Sequence, residues 1–396
     1  MLGRRLTQSQ SPIGRATQRR GLSANKASAG LMKTPQLRAL ITGAAGWVGF
    51  DLCKLWLAKY GPQSVIALTG PVQHETENHR LAILRQWPVK EVAIDLRRRP
   101  ILVNRIEDFD VLFHLAAYVR TEDDSPDVRI NDEGTQRLIE ELGERIRNKH
   151  LVFTSSISAV DITSVKHGWI EAGTACCPRT EYGRSKLRAE EIIKAESERL
   201  GFTYSILRLP IVYGPGYRPG GMFDFLREQL PKKTLGSRIP WPGRISIVEV
   251  SDAANILVQA AVREEMRGKT FFVSSGENPS MADMARLTAD CLRVNYKPLP
   301  VKKALFRLTS VAGEILSGAT FLPHSLRILG WRVSLVVNGY CCDGTELTEL
   351  LDMPYSPWRD SFHRMFELPP PSYSVETSTE SGEQYNPYPP ANRGSR

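Results

Sequence analysis

Four residues apart, Tyr182 and Lys186 in the segment Tyr182-Gly183-Arg184-Ser185-Lys186 share one face of any helix that carries them. A free phenol keeps its proton up to about pH 10, too high to act as a base near neutrality. A neighbouring ammonium favours the phenolate and brings it towards the working range. Thr154-Ser155-Ser156, with Ser158 just beyond, ends a short apolar segment and supplies hydroxyls that would hold a substrate oxygen. Such a set suits proton transfer at an alcohol or carbonyl oxygen. A Tyr-x-x-x-Lys on an arbitrary helix is more often a solvated surface pair, so the assignment depends on what stands around it.

Taking a proton from an alcohol oxygen achieves a redox change only if a hydride leaves the carbon, which requires an acceptor. The chain supplies a place for one near its start. Gln36 to Thr42 reads as a buried strand, Gly43-Ala44-Ala45-Gly46-Trp47-Val48-Gly49 follows at once, and Trp47 to Tyr60 reads as a helix. Gly43 permits a tight turn, and Gly46 lets backbone N–H groups approach a pyrophosphate at the helix N-terminus. Gly49 lets the helix lie close on the strand. Strand before and helix after are the context this motif needs, so a dinucleotide is expected there, held also by Ala45, Trp47 and Val48. An acid ending the second strand would bind the ribose of NAD, and a nearby Arg the phosphate of NADP. Val65-Ile66-Ala67-Leu68 ends instead in Thr69-Gly70. Arg80 and His74 stand further on, and the choice between NAD and NADP stays open.

These motifs, in this order, resemble the extended short-chain dehydrogenase/reductase superfamily over about Leu40 to Val273. The resemblance implies that Asp95 and Leu96 hold the adenine and that His114-Leu115-Ala116-Ala117 flanks the central riboses. It implies a nicotinamide wall at Arg208, Pro210 and Tyr213-Gly214-Pro215. Asn131, in Asn131-Asp132-Glu133-Gly134-Thr135, would anchor a proton-relay water. The family's serine lies four residues before a position occupied here by Val160, which selects Ser156 over Ser155 and Ser158. Catalysis is then expected from Ser156, Tyr182, Lys186 and Asn131, with Tyr182 and Lys186 also touching the cofactor.

The elements that would position these groups alternate. Short apolar strands are expected at Ser64 to Leu68, Glu91 to Ile94, Val111 to His114, Leu151 to Thr154 and Tyr204 to Leu209, with helices at Arg129 to Ile146 and Tyr182 to Leu200. This predicts an α/β fold, a doubly wound parallel sheet of Rossmann type with a smaller C-terminal substrate-binding lobe. The expected domains are 36–210 for the dinucleotide and 211–367 for the substrate, with strands returning to the sheet near Ile245 to Val250 and Thr270 to Val273. Further helices are expected at Ser251 to Arg263, Ala282 to Cys291 and Val301 to Leu316. A basic leader (1–35) and a Pro-rich tail (368–396) are expected to be disordered.

Charge narrows the partners. Of the net +9, the eight basic residues from Arg4 to Arg38 precede the first acid, Asp51, so the remainder is near neutral. A nucleic-acid partner loses its support, and the leader leaves the compartment between cytoplasm and mitochondrion. No apolar run is long enough to span a bilayer. The six cysteines show no metal-ligand spacing and read as free thiols. A small-molecule substrate is the expected partner, with a homodimer left open.

For the reaction, the resemblance divides. Sugar-nucleotide enzymes of the family carry an asparagine three residues after the arginine matched by Arg208; here Ile211 stands there, unable to hydrogen-bond a diphosphate. Dehydratases place an Asp-Glu pair where this chain has Ile157 and Ser158. The expectation is a dehydrogenase or reductase acting on a fairly apolar alcohol or ketone. A nucleotide-sugar epimerase or dehydratase, and a dinucleotide-binding assembly subunit without turnover, are the alternatives. Leu305, Leu308, Val311, Ala312 and Leu316, at helical spacing, are expected to pack in the core or to line an apolar pocket.

Overall fold

The computed structural model describes residues 37–99, 103–119, 126–160, 168–217 and 221–367. The expected leader and tail lie outside them.

The first half alternates as expected. Strand β1 (Ala39–Thr42) leads into α1 (Trp47–Tyr60), then β2 (Val65–Thr69), α2 (Glu75–Leu84), β3 (Lys90–Ala93), β4 (Val111–His114), α3 (Glu133–Leu142) and β5 (His150–Ser156). After β6 (Trp169–Ile170) come α4 (Glu181–Leu200), β7 (Thr203–Leu209) and β8 (Ile211–Tyr213). The second half holds α5 (Met222–Gln229), α6 (Leu235–Arg238), β9 (Ile247–Glu249), α7 (Val250–Val262), β10 (Lys269–Phe272), α8 (Met281–Cys291) and α9 (Lys303–Gly318). It closes with α10 (His324–Asn338), β11 (Cys341–Cys342), α11 (Thr345–Leu351) and α12 (Trp358–Glu367).

Seven strands form one sheet in the order β3-β2-β1-β4-β5-β7-β10, every pair parallel. β1, β2, β4 and β5 are buried throughout, which is what helices on both faces of a parallel sheet produce. One core lies under α1 and α7, around Trp56, Phe113 and Leu257; the other lies under α3 and α4, around Leu112, Phe153 and Ile193. The crossover after β3 reverses direction beside β1, so the C-terminal ends of β1 and β4 open a crevice at the switch point. Register sets Thr42 beside Leu68 on one side and His114 on the other.

Two expected elements differ. The helix foreseen from Arg129 to Ile146 is divided into a 3₁₀ turn (Pro126–Ile130), α3, and a second 3₁₀ turn (Gly143–Ile146). The strand foreseen from Ile245 to Val250 is shorter and pairs with β8 outside the central sheet, Ile211 beside Ile247. The strand foreseen at Thr270 to Val273 does join that sheet, as edge strand β10. A third core, around Tyr213, Phe223, Met284 and Phe362, packs the C-terminal helices together. Among the described residues no helix is long and apolar enough to cross a membrane, and all six cysteines are free.

Candidate active site

Backbone contact dictates the glycine turn. Gly43 has φ +67°, and a Cβ there would lie 2.9 Å from the Ala116 nitrogen. A Cβ on Gly49 would lie 2.1 Å from the Gly43 carbonyl oxygen, so only hydrogen lets α1 start so near β1. The Gly46 N–H donates to that same carbonyl at 2.9 Å. The resulting hollow at the N-terminus of α1 carries no side-chain cap. Open N–H groups and close approach at Gly43, Gly46 and Gly49 suit a pyrophosphate, so the residues present fit the dinucleotide the motif calls for.

A buried hydrogen-bond chain holds this turn against β4, and sequence reasoning missed it. Thr42 Oγ1 accepts from the Leu115 and Ala116 N–H groups, both at 3.0 Å, and meets His114 Nδ1 at 2.8 Å. His114 Nε2 meets Thr135 Oγ1 at 2.7 Å, while Thr135 donates its own proton to the Asn131 carbonyl at 2.6 Å. A hydroxyl has one proton, so Thr135 accepts from Nε2–H and Thr42 donates to Nδ1. Burial, with Lys186 nearby, lowers the His114 pKa to about 3, which keeps the ring neutral in that tautomer.

Asn131 is buried, and its side chain is engaged by protein. Oδ1 accepts from the Tyr118 N–H at 2.8 Å, and Nδ2 donates to the Tyr118 carbonyl and to Ser185 Oγ, each at 3.0 Å. Ser185 donates in turn to the Tyr182 carbonyl at 2.8 Å. Asn131 thus ties the loop after β4 to the first turn of α4.

That first turn brings Tyr182 to the strand-end serines. Thr180 caps α4, accepting from the Gly183 N–H at 3.0 Å. A Cβ on Gly183 would lie 2.1 Å from the Ser158 carbonyl oxygen. The helix start is therefore pressed onto the turn after Ser156. Tyr340, from just before β11, holds the same turn by its hydroxyl against the Val160 carbonyl at 2.9 Å. Ser155 donates to Glu190, whose carboxylate takes two bonds from Arg208 at 2.7 and 2.9 Å. Ser156 Oγ accepts from the Ser158 N–H at 3.1 Å and keeps its own proton to donate. Lys186 Nζ donates to the Thr154 carbonyl at 2.8 Å and stands 4.7 Å from the Phe153 ring centroid. Burial brings the lysine pKa down to about 7, against the opposing pull of Glu190.

The glycine turn, Ser156, Tyr182 and Lys186 open into one cavity of about 930 Å³, which Asn131 does not line. Of the expected site residues, Gly43, Gly46, Trp47, Val48, Gly49, Leu115, Ala117, Ser156, Tyr182, Lys186 and Pro210 line it. Leu96 and Ala116 line a smaller neighbour of about 210 Å³, shared with Gly43 and Gly46. Ala45 is buried behind the turn, with its carbonyl accepting from Arg80 at 2.9 Å. Asp95 lies beside the smaller cavity, accepting from Arg97 Nε at 2.9 Å; burial would raise its pKa, but the bonds from Arg97 outweigh that and lower it. Arg97 also bonds Asp127, so its charge is spent on two carboxylates. Glu77, from α2, lines both cavities. This is an acid near the turn after β2 that the β2 sequence could not disclose, because the fold brings it from the following helix.

The far wall of the larger cavity is apolar. Ile211, Met222, Phe225, Ile239, Trp241 and Trp331 face it, with Ser237 and Arg332 among the few polar groups. One expectation is corrected here. Leu305, Leu308 and Val311 of α9 neither pack in the core nor line the cavity: they are 52%, 68% and 57% exposed. The wall comes from α10 instead, through Trp331, Val333, Leu335 and Val336. Helical spacing specifies a face, not which partner meets it. Among the described residues no group of three or more His, Cys, Asp or Glu could hold a metal.

Comparison with known proteins gives consistent findings. The model of the NAD dependent epimerase/dehydratase family matches residues 39–273. A dTDP-L-rhamnose 4-epimerase of Burkholderia thailandensis is 27% identical over 337 residues, 74% of this chain and 90% of that protein. Sterol demethylase protein B of Methylococcus capsulatus is 26% identical over 249 residues, 60% and 70% of the two chains. In fold, the chain is similar to UDP-glucuronic acid 4-epimerase from Bacillus cereus, solved with UDP-glucuronic acid and NAD: TM-score 0.65, 19% identity, 84% of this chain and 98% of that one.

Proposed function

The chain belongs to the NAD-dependent epimerase/dehydratase family, and within it we propose that this protein interconverts a secondary alcohol and a ketone on a substrate with an apolar body. The observation that carries the reading is the cavity wall facing Tyr182 and Ser156, built from Ile211, Met222, Phe225, Ile239, Trp241 and Trp331. A diphosphate buried there would lose water and gain few donors in return. An apolar skeleton gains from the same contact.

In this reading Ser156 donates its hydrogen bond to the substrate oxygen and orients the reacting carbon. Tyr182 takes the hydroxyl proton during oxidation and returns it during reduction. Lys186, in its ammonium form, favours the phenolate, and Glu190 helps it stay charged. Asn131 and Ser185 fix the helix turn that aims Tyr182. NAD, when bound on the glycine turn, supplies the hydride acceptor. Glu77 supports NAD over NADP, since a carboxylate beside the turn after β2 disfavours a ribose phosphate and Arg97 is already paired.

A second reading, nucleotide-sugar 4-epimerase, is favoured by what the Burkholderia relative is. The two differ in cofactor balance. Purified protein is given NAD with either sterol-like secondary alcohols or dTDP- and UDP-hexoses, while nicotinamide absorbance and products are followed. Ketone formed in step with NADH is the expected result. Inversion of a hexose with no net NADH would refute the proposal in favour of the epimerase.

A further inference from the structure

The outer face of α9 is a continuous apolar stripe. Leu305, Leu308, Val311 and Ile315 are between 52% and 69% exposed. The stripe runs on through Phe321 in the turn, 86% exposed, to Leu326 and Leu329 of α10. The other side of the hairpin is already committed. Phe306 meets the Trp241 ring at 5.9 Å, and Gly313 packs on the backbone of Gly330. Single exposed apolar residues are ordinary, but a run along two connected helices marks a contact surface.

Charge identifies what the surface meets. From Leu292 to Cys342 the sequence contains one acid, Glu314, against Lys302, Lys303, Arg307, Arg327 and further bases. Glu314 is turned to Ser334 and Arg179, away from the stripe. An apolar stripe flanked by the exposed Lys302, Lys303 and Arg307, with Glu314 held by Ser334 and Arg179, complements an anionic lipid surface, where apolar side chains enter the acyl boundary and cations meet headgroup phosphates. A second copy of this chain would bring the same excess of positive charge against itself. We propose that the α9–α10 hairpin docks this protein peripherally on an anionic membrane surface. The opposite face of α10 lines the large cavity through Trp331 and Val336, so the bilayer would lie one helix away from the site.

Flotation of the full-length protein with phosphatidylcholine vesicles, with and without about one-third phosphatidylserine, tests this. The triple variant L308S/I315S/F321S leaves net charge unchanged, so attraction of the basic leader to lipid is the same in both proteins. The expected result is binding to the anionic vesicles that falls at least about tenfold in the variant at an unchanged Tm. Equal flotation of both proteins, or none by either, overturns the proposal. So does a dimer seen by light scattering without lipid that the variant dissolves. As a readout independent of the variant's folding, F321W is mixed with vesicles of brominated lipid. Quenching of the added tryptophan supports docking; flotation without quenching overturns it.

Discussion

Gly49→Ala isolates what the helix–strand approach is worth. The new Cβ would start 2.1 Å from the Gly43 carbonyl oxygen and 3.0 Å from its carbon, both backbone atoms that no side-chain rotation can move. The carbonyl must retreat by about 0.9 Å to regain even a 3.0 Å contact, and it is the acceptor of the Gly46 N–H bond at 2.9 Å. Overpacking of this kind costs about 1–3 kcal/mol, and the weakened turn bond adds about 1 kcal/mol. A chain of this size should then lose roughly 4–8 °C in Tm, at about 2 °C per kcal/mol. The same displacement moves the N–H groups at the start of α1, so NADH affinity should fall at least about tenfold, equivalent to about 1.4 kcal/mol. The assay is NADH fluorescence titration beside a thermal melt. Gly173→Ala is the control, because a Cβ there meets nothing within 4 Å. A Gly49→Ala protein with unaltered Tm and unaltered NADH affinity would refute the reasoning.

Other outcomes follow from the same geometry. Tyr182→Phe should bind NADH normally while turnover drops about 10²–10⁴-fold, as measured by the rate at saturating substrate; retained turnover excludes the phenol as the proton carrier. His114 titrates near pH 3 in the folded protein and near 6.5 when unfolded. Its depressed value means that stability is complete above about pH 6.5 and is lost as pH falls towards 3, amounting to about 2–3 kcal/mol by pH 4.5. His114→Gln should be less stable at neutral pH, yet its gap from the wild type should narrow by that amount in urea melts at about pH 4.5; a constant gap counts against a buried neutral ring. Glu190→Gln strands the Arg208 guanidinium and should cost about 3–5 kcal/mol in denaturant unfolding. It should also move the Lys186 titration below about 7, because Glu190 supports that ammonium; a lysine pKa that stays put would separate the two groups.

The strands were legible because parallel strands buried on both faces are unbroken apolar runs, as in Val65–Thr69 and Val111–His114. Helix α1 was legible to the residue, since Gly46 and Gly61 bracket it. The expected helix across Arg129 to Ile146 was not, because nothing in its periodicity discloses that Asn131 leaves the helical path to bond the Tyr118 backbone. The α10 wall was hidden for a related reason: α9 and α10 are both amphipathic, and only the docked pair shows which one turns towards the cavity.

By itself, then, the sequence determined the chemistry on offer: which side chains carry protons, which turn is built on glycines, and that strand and helix alternate. These are local properties, written in residue type and short spacing. Tertiary structure decided everything that depends on distance between elements far apart in the chain. It paired Ser155 with Glu190 and left Ser156 its proton, and it fixed the His114 tautomer through Thr42 and Thr135. It also carried Glu77 to the cofactor crevice and turned Leu305 and Leu308 of α9 outward. Burial and charge proximity exist only once the chain has closed on itself, and no residue's own identity encodes them.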